Sequence, residues 1–155
     1  MMSGYKNQPD KTREGYWTDP ATGEVWQRMG DIGRIDADGF VELVGRAKDM
    51  IISGGFNIYP TDLEAVLEAD PRVAEAAVIG VSSRAWGETP VGFVRLANGN
   101  GDDALTAIMA DANGKLGKTQ RLSALYAIDE MPRSHIGKLL KTDLRALAEA
   151  RFVTG

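Results

Sequence analysis

Between Gly45 and Glu64 the chain reads GRAKDMIISGGFNIYPTDLE, and this stretch limits the fold more than any other. Arg46 and Lys48 flank Ala47 ahead of Asp49, the apolar run Met50-Ile51-Ile52 follows, and Ser53-Gly54-Gly55 closes it. Such an order predicts a charged joint, a short strand and a turn. Adjacent glycines permit φ > 0, or the close approach of another group to bare backbone, which a Cβ would block. Pro60 then stands where the first helical position is expected. Tyr59 is a poor cap before it, and Asp62 and Glu64 bring acid to the first turn. The chain must therefore pass from strand through a tight turn into a helix within twenty residues.

The segments on either side extend this pattern. Ile32, Ile35 and the run Phe40-Val41-Glu42-Leu43-Val44 alternate across Asp36-Ala37-Asp38-Gly39, whose Asp-Gly predicts a β-hairpin. An EF-hand is excluded there, because its remaining ligands and terminal glutamate are missing. After the joint, Thr61 to Ala69 reads as a helix with Leu63, Val66 and Leu67 on one face, ended by Pro71. Val73 to Val81 and Val91 to Ala97 read as strands, separated by a loop holding Trp86, Gly87, Glu88 and Pro90. A turn over Asn98 to Gly101 leads to a helix over Ala104 to Ala112, with Leu105, Ile108 and Met109 inward. A last strand over Leu125 to Ile128 precedes a helix over Leu139 to Arg151, with Leu140, Leu144 and Leu147 on one face. This order lacks strict βα alternation, so the expected fold is α+β: flanking helices on a central three-stranded sheet, preceded by the hairpin. Residues 1–24, rich in Gly, Pro, Asn, Asp and Thr, are expected to pack little for themselves.

Composition narrows the function classes. At 155 residues with 43% hydrophobic and 26% charged, the chain suits one compact core and an appendage. Without cysteine, and with His135 as its one histidine, it has neither disulfides nor a zinc site of His and Cys. No apolar stretch approaches the roughly 18 residues that span a bilayer, and no secretory leader is evident at the start, so a cytoplasmic location is expected. The net charge of −4 is unevenly spread, with eight basic residues against four acidic ones from Asn113 onward. That local excess argues against general nucleic-acid binding and suits a phosphate-bearing small molecule. Gly114 to Thr119 is no Walker loop, because Ala112 occupies the position where its first glycine belongs.

Gly45-Arg46-x-Lys48-Asp49-x-Ile51-x-x-x-Gly55-x-Asn57-Ile58-Tyr59-Pro60-x-x-Leu63-Glu64 resembles, in order and without gaps, the motif joining the large and small domains of the adenylate-forming superfamily. Acyl-CoA synthetases, peptide-synthetase adenylation domains and firefly luciferase belong to that superfamily. Three shorter stretches add to the likeness: Gly4-Tyr5 with Asn7, Pro9 and Thr12; Arg28-Met29-Gly30-Asp31; and Met131-Pro132-Arg133 with Gly137-Lys138. The resemblance implies that residues 1–46 are the tail of the large domain, its start partly disordered and its hairpin a remnant. Residues 47–155 would be the mobile C-terminal lid, most like that of the fatty-acid–CoA ligases.

The resemblance also implies roles. Asp31 would accept both ribose hydroxyls of the adenylate, since a carboxylate offers two acceptor oxygens, and Arg46 would reach the ribose and phosphate side. Lys48 would be the hinge, Gly54 and Gly55 would line the passage for the pantetheine arm of CoA, and Lys138 would be the catalytic lysine. An ammonium on a flexible stem can bridge the substrate carboxylate and the α-phosphate, where charge builds. Met29 and Phe56 depart from the family, which usually has threonine and often glutamate at those places. His135 reads as a loop histidine, and Lys115, Lys118 and Arg121 as a basic face near the CoA phosphates. By this likeness the parent enzyme joins a carboxylic acid to CoA through an acyl-adenylate, using ATP with Mg2+ bound mainly by the absent large domain. The fragment by itself would be inactive. Other readings are a stand-alone binding or regulatory module, a peptide-synthetase adenylation fragment and an aryl-CoA ligase fragment.

Overall fold

The computed structural model describes residues 6–97, 101 and 103–152. The chain divides into two compact units, Met1–Lys48 and Asp49–Gly155. The first holds a short helix α1 (Pro9–Glu14) and strands β1 (Tyr16–Thr18), β2 (Val25–Gln27), β3 (Asp31–Ile35) and β4 (Val41–Arg46). β1 pairs with β2 and β3 with β4, both antiparallel. The β3–β4 hairpin turns at the expected Asp-x-Asp-Gly, where Asp36 Oδ1 accepts from the amides of Asp38 at 2.9 Å and Phe40 at 2.8 Å. That carboxylate closes the turn.

The described part of the first 24 residues is more ordered than its composition suggests. Pro9 occupies the first turn of α1 with Asp10 beside it. Asp19 closes the β1–β2 turn through its backbone to Glu24 and Gly23, each at 2.8 Å, and through Oδ1 to the Ala21 amide at 2.8 Å. Turn residues here specify a hairpin that composition alone reads as irregular. Gly4 and Tyr5 lie outside the described residues, as does most of the turn expected at Asn98 to Gly101. No residue from 6 to 48 is buried, and Val25, Trp26, Ile35, Phe40, Val41 and Leu43 are all exposed.

The second unit carries β5 (Ile51–Ser53), β6 (Phe56–Ile58), α2 (Pro60–Glu68), β7 (Val73–Ser83), β8 (Gly87–Leu96), α3 (Ala104–Lys115), β9 (Ala124–Ala127) and α4 (Lys141–Phe152). The three expected strands form its centre, with β8 pairing antiparallel to β7 and parallel to β9. The β5–β6 hairpin widens the sheet to five strands, with Ser53 opposite Gly87 of β8. Alternate residues of β7 and β8 face opposite sides. Ala76, Val78 and Val94 join Leu63 and Leu67 of α2 and Ile108 and Ala112 of α3 in one core cluster. Ala77, Ile79, Val81, Val91 and Phe93 join Met131 and Leu144 and Ala148 of α4 in the other. Both faces are covered, which explains why these strands read as continuous apolar runs. A Cβ at Gly92 would fall 2.7 Å from Leu125 Cδ1, so glycine lets β9 close against β8 on the first face.

Two expectations shift. Gly87 to Pro90 are strand and not loop, since β8 already begins at Gly87. Pro90 fits there because its carbonyl accepts from Ser123 at 2.9 Å, so its nitrogen faces the same side, between the stretch paired with β5 and the stretch paired with β9. No ladder donor is required at that gap. On α4 the inward face is Leu144 and Ala148, whereas Leu147 is 39% exposed. The i, i+4 pair faces the sheet, and the residue between them turns to its flank.

Candidate functional site

In the first unit, Asp31 and Arg46 stand opposite each other in the β3–β4 register, and Arg46 Nε lies 3.0 Å from Asp31 Oδ1. Both side chains remain partly exposed, so one carboxylate oxygen is engaged while the other keeps accepting capacity toward solvent. Arg46 thus orients Asp31 and neutralises its charge. Fourteen residues of intervening sequence hide this pairing, and only the hairpin register reveals it.

Lys48 is exposed in the middle of a 3₁₀ turn, Ala47–Asp49, between β4 and β5. Within the second unit, Arg145 of α4 pairs with Asp49 at 3.5 Å. Such a three-residue turn, ending one strand and starting another, has no helical ladder to resist rotation.

Gly54 and Gly55 form the two-residue turn of the β5–β6 hairpin, with φ of 57° and 83°. Positive φ at both centres is the demand of the primed hairpin turns. The Gly54 amide donates to Trp86 O at 2.8 Å, and a Cβ at Gly54 would lie 2.8 Å from the Trp86 ring. Trp86 and Ser53 help line an open pocket of about 160 Å³, with Thr89, Lys118, Thr119, Arg121, Leu122 and Ser123. Thr89 and Ser123 share a hydroxyl–hydroxyl hydrogen bond in its wall. Whole drug-sized ligands occupy about 300–1,000 Å³, so this is a subsite. Hydroxyls, two cations and an indole suit a narrow polar chain or an anionic group. Of the basic trio read from the sequence, Lys118 and Arg121 line the pocket and Lys115 does not; its charge acts on Asp70 instead.

Lys138 is not part of that pocket. It sits at the end of a small hairpin closed by an antiparallel bridge between Arg133 and Leu139. Ser134 N donates to Lys138 O and Gly137 N to Ser134 O, both at 2.8 Å, with Gly137 at φ 79°. These two bonds make a turn followed by a left-handed bulge, a geometry that needs glycine at the bulge. Lys138 is exposed, and among the described residues its ammonium has no ion-pair partner. His135 and Ile136 are exposed at the tip. Among the described residues no group of three or more His, Cys, Asp or Glu side chains converges on a metal position.

Sequence reasoning missed the groups that hold these elements in place. Glu64, read as acid for the start of α2, instead accepts from the Val78 amide at 2.9 Å and from Lys141 Nζ at 2.8 Å. Ser53, Thr89 and Ser123 carry no local signal, since scattered hydroxyls become a cluster only when β5, β8 and the start of β9 meet.

Residues 62–138 match the model of the AMP-binding enzyme C-terminal domain. The chain is 42% identical over 144 residues to the 2-succinylbenzoate–CoA ligase of Geobacillus kaustophilus, covering 90% of this chain and 29% of that protein. Among solved structures, ATP-bound MatB from Rhodopseudomonas palustris is similar at 32% identity and a TM-score of 0.84, over 97% of this chain and 29% of that one. The o-succinylbenzoate CoA synthetase MenE from Bacillus subtilis, in complex with its acyl-adenylate intermediate, is similar at 32% identity and a TM-score of 0.75. That match covers 94% of this chain and 28% of the other. The chain thus spans about 29% of the length of the curated relatives it matches. Those relatives are ligases of 2-succinylbenzoate and lend no support to a fatty-acid specialisation. No described helix is long and apolar enough to cross a membrane. The chain belongs to the adenylate-forming superfamily, and residues 62–138 are its AMP-binding enzyme C-terminal domain.

Proposed function

We propose that this chain supplies the lid of an AMP-forming acid–CoA ligase, with Asp49 onward as the moving body and Lys48 as its hinge. In the first step the carboxylate oxygen of the acid bonds to the α-phosphorus of ATP and pyrophosphate leaves. In the second the CoA thiolate bonds to the acyl carbon and AMP leaves. Lys138 serves the first step, its ammonium bridging carboxylate and α-phosphate as charge builds there. The observation that carries this reading is the exposed ammonium of Lys138, without an ion-pair partner among the described residues, at the end of a hairpin closed by backbone hydrogen bonds. Asp31 takes the ribose hydroxyls beside Arg46.

The Ser53–Trp86–Arg121 pocket takes part of CoA, with Gly54 bare where the thiol arm passes and Lys118 and Arg121 toward its phosphates. Mg2+ accompanies ATP as its complex and is held mainly by the large domain, since among the described residues no group of three or more His, Cys, Asp or Glu side chains converges on a metal position. The exposed apolar side chains of β2, β3 and β4 are the surface that a large domain covers, and that domain holds the acid. A carboxylic acid of the succinylbenzoate kind is the substrate class favoured by the curated relatives, and the cytoplasm, where ATP and CoA are available, is the expected location.

The test is kinetic. In the whole ligase, Lys138→Ala is expected to lower pyrophosphate release by about 10²-fold or more, an effect of about 3 kcal/mol. Thioester formation from supplied acyl-adenylate should stay within about threefold of the parent rate. Equal loss in both steps would remove Lys138 from this role. The 155 residues alone are expected to release no pyrophosphate with any acid.

A further inference from the structure

The hairpin that presents Lys138 packs Leu139 against the second core cluster, and among the described residues Arg133 is the side chain that ties its tip to the sheet by hydrogen bonds. Arg133 Nη1 donates to the carbonyl of Gly137 at 2.8 Å, while its Nη2 donates to Glu75 Oε1 on β7. Glu75 is braced in turn, with its other oxygen 3.6 Å from Arg95 Nε on β8. The Gly137 carbonyl belongs to the peptide unit whose nitrogen is that of Lys138. That nitrogen donates to Ser134 Oγ at 3.2 Å. One peptide plane is therefore gripped from both ends, and its orientation sets the direction in which the Lys138 side chain leaves the backbone. Among the described residues the hairpin's other hydrogen bonds are within its own backbone, including Leu140 N to Pro132 O at 2.8 Å.

We infer that Arg133 is a positioning residue for Lys138: its guanidinium ties the Gly137–Lys138 peptide to Glu75 and so aims the ammonium. A planar fork can serve a carbonyl and a carboxylate on separate nitrogens at once. A lysine at 133 has one nitrogen and would reach one of the two. The inference rests on the proposed role of Lys138 in adenylate formation. It assigns Arg133 no contact with substrate, and it separates the two basic residues of the Pro-Arg-x-x-x-Gly-Lys segment into one that acts and one that aims.

Two measurements test it. On the 155-residue chain, Arg133→Ala should speed amide hydrogen exchange at Lys138 and Gly137 at least fivefold, with the β7 and β8 amides unchanged. Unchanged exchange at Lys138 would overturn the inference whatever Lys138 does. In the whole ligase, Arg133→Ala and Arg133→Lys should each lower the adenylation kcat by about tenfold to a hundredfold, the range expected for a misplaced catalytic group. The KM values for ATP and acid should stay within about twofold, and the thioester step should be spared. In a Lys138→Ala background, Arg133→Ala should add less than about a twofold further loss, because there is then no ammonium to aim. A loss of the same size with and without Lys138 would overturn the positioning role while leaving Lys138 in place. Full adenylation by Lys138→Ala itself would instead remove the reading beneath it, and the inference with it.

Discussion

At the scale of single residues, one buried acid does work that its local sequence conceals. Asp70 follows α2 and is almost wholly buried. Arg72 donates to it from Nη2 at 2.6 Å and from Nε at 2.9 Å, and reaches Asp111 at 2.5 Å. The hydrogen bond from the Arg72 side chain, outweighing desolvation, holds the Asp70 carboxyl down at about 2. The same contacts raise the Arg72 guanidinium above its ordinary value. A carboxyl with a depressed folded-state pKa stabilises the fold above its unfolded value of about 3.9, and that contribution disappears as pH falls through the folded value. Asp70→Asn is therefore expected to cost about 1 kcal/mol at pH 7. Its urea midpoint should converge on that of the parent chain between about pH 4 and pH 2. A gap that stayed constant down to pH 2 would assign the stability to the shape of the side chain and not to its charge. Of this cluster the sequence shows only an Asp-Pro-Arg turn after a helix; Asp111 arrives from 39 residues away.

At the scale of elements, β7 is an edge strand of the five-stranded sheet, and an open edge invites pairing with another chain. Side chains close it. Glu68 accepts from the Ala76 amide at 3.3 Å, Glu64 from the Val78 amide at 2.9 Å, and Lys141 donates to the Val78 carbonyl at 3.2 Å. Glu64 and Lys141 also pair at 2.8 Å with both side chains only 18% exposed, so α2, β7 and the start of α4 meet at one ion pair. Glu64→Ala would leave the Lys141 ammonium without its counter-ion and the Val78 edge amide unpaired. It is expected to cost about 2–4 kcal/mol in urea unfolding and to raise light scattering on mild heating. Loss of less than about 0.5 kcal/mol would show that the pair is no more than a surface contact. The amphipathic spacing of α2 and α4 was legible in advance, because burial imposes the helical period on the apolar residues. Which polar residue would reach which strand was not, because the period says nothing about residues outside it.

At the scale of the whole molecule, the two units differ in what they bury. Both core clusters are drawn wholly from residues 51–148, whereas no residue from 6 to 48 is buried. Burying each large apolar side chain contributes about 1.5–3 kcal/mol, and the second unit holds nearly all of that gain. Residues 49–155 made alone are expected to melt cooperatively within a few degrees of the full chain, and residues 1–48 alone to show no cooperative transition by circular dichroism. Loss of the cooperative melt from 49–155 would mean that the first unit supplies stability its exposure does not suggest. The sequence by itself determined the order of the second unit's elements, the paired-glycine turn, the Asp-Gly hairpin and the family, since each rests on neighbours in the chain: alternation, turn chemistry and ungapped motifs. Only the tertiary structure decided that Arg46 meets Asp31, that Trp86 seals the glycine turn beside Lys118 and Arg121, and that Arg133 holds the peptide of Lys138 against Glu75. The hydrogen bonds and ion pairs among them join residues 15 to 58 positions apart, and such bonds act over a few ångströms of space without regard to separation along the chain.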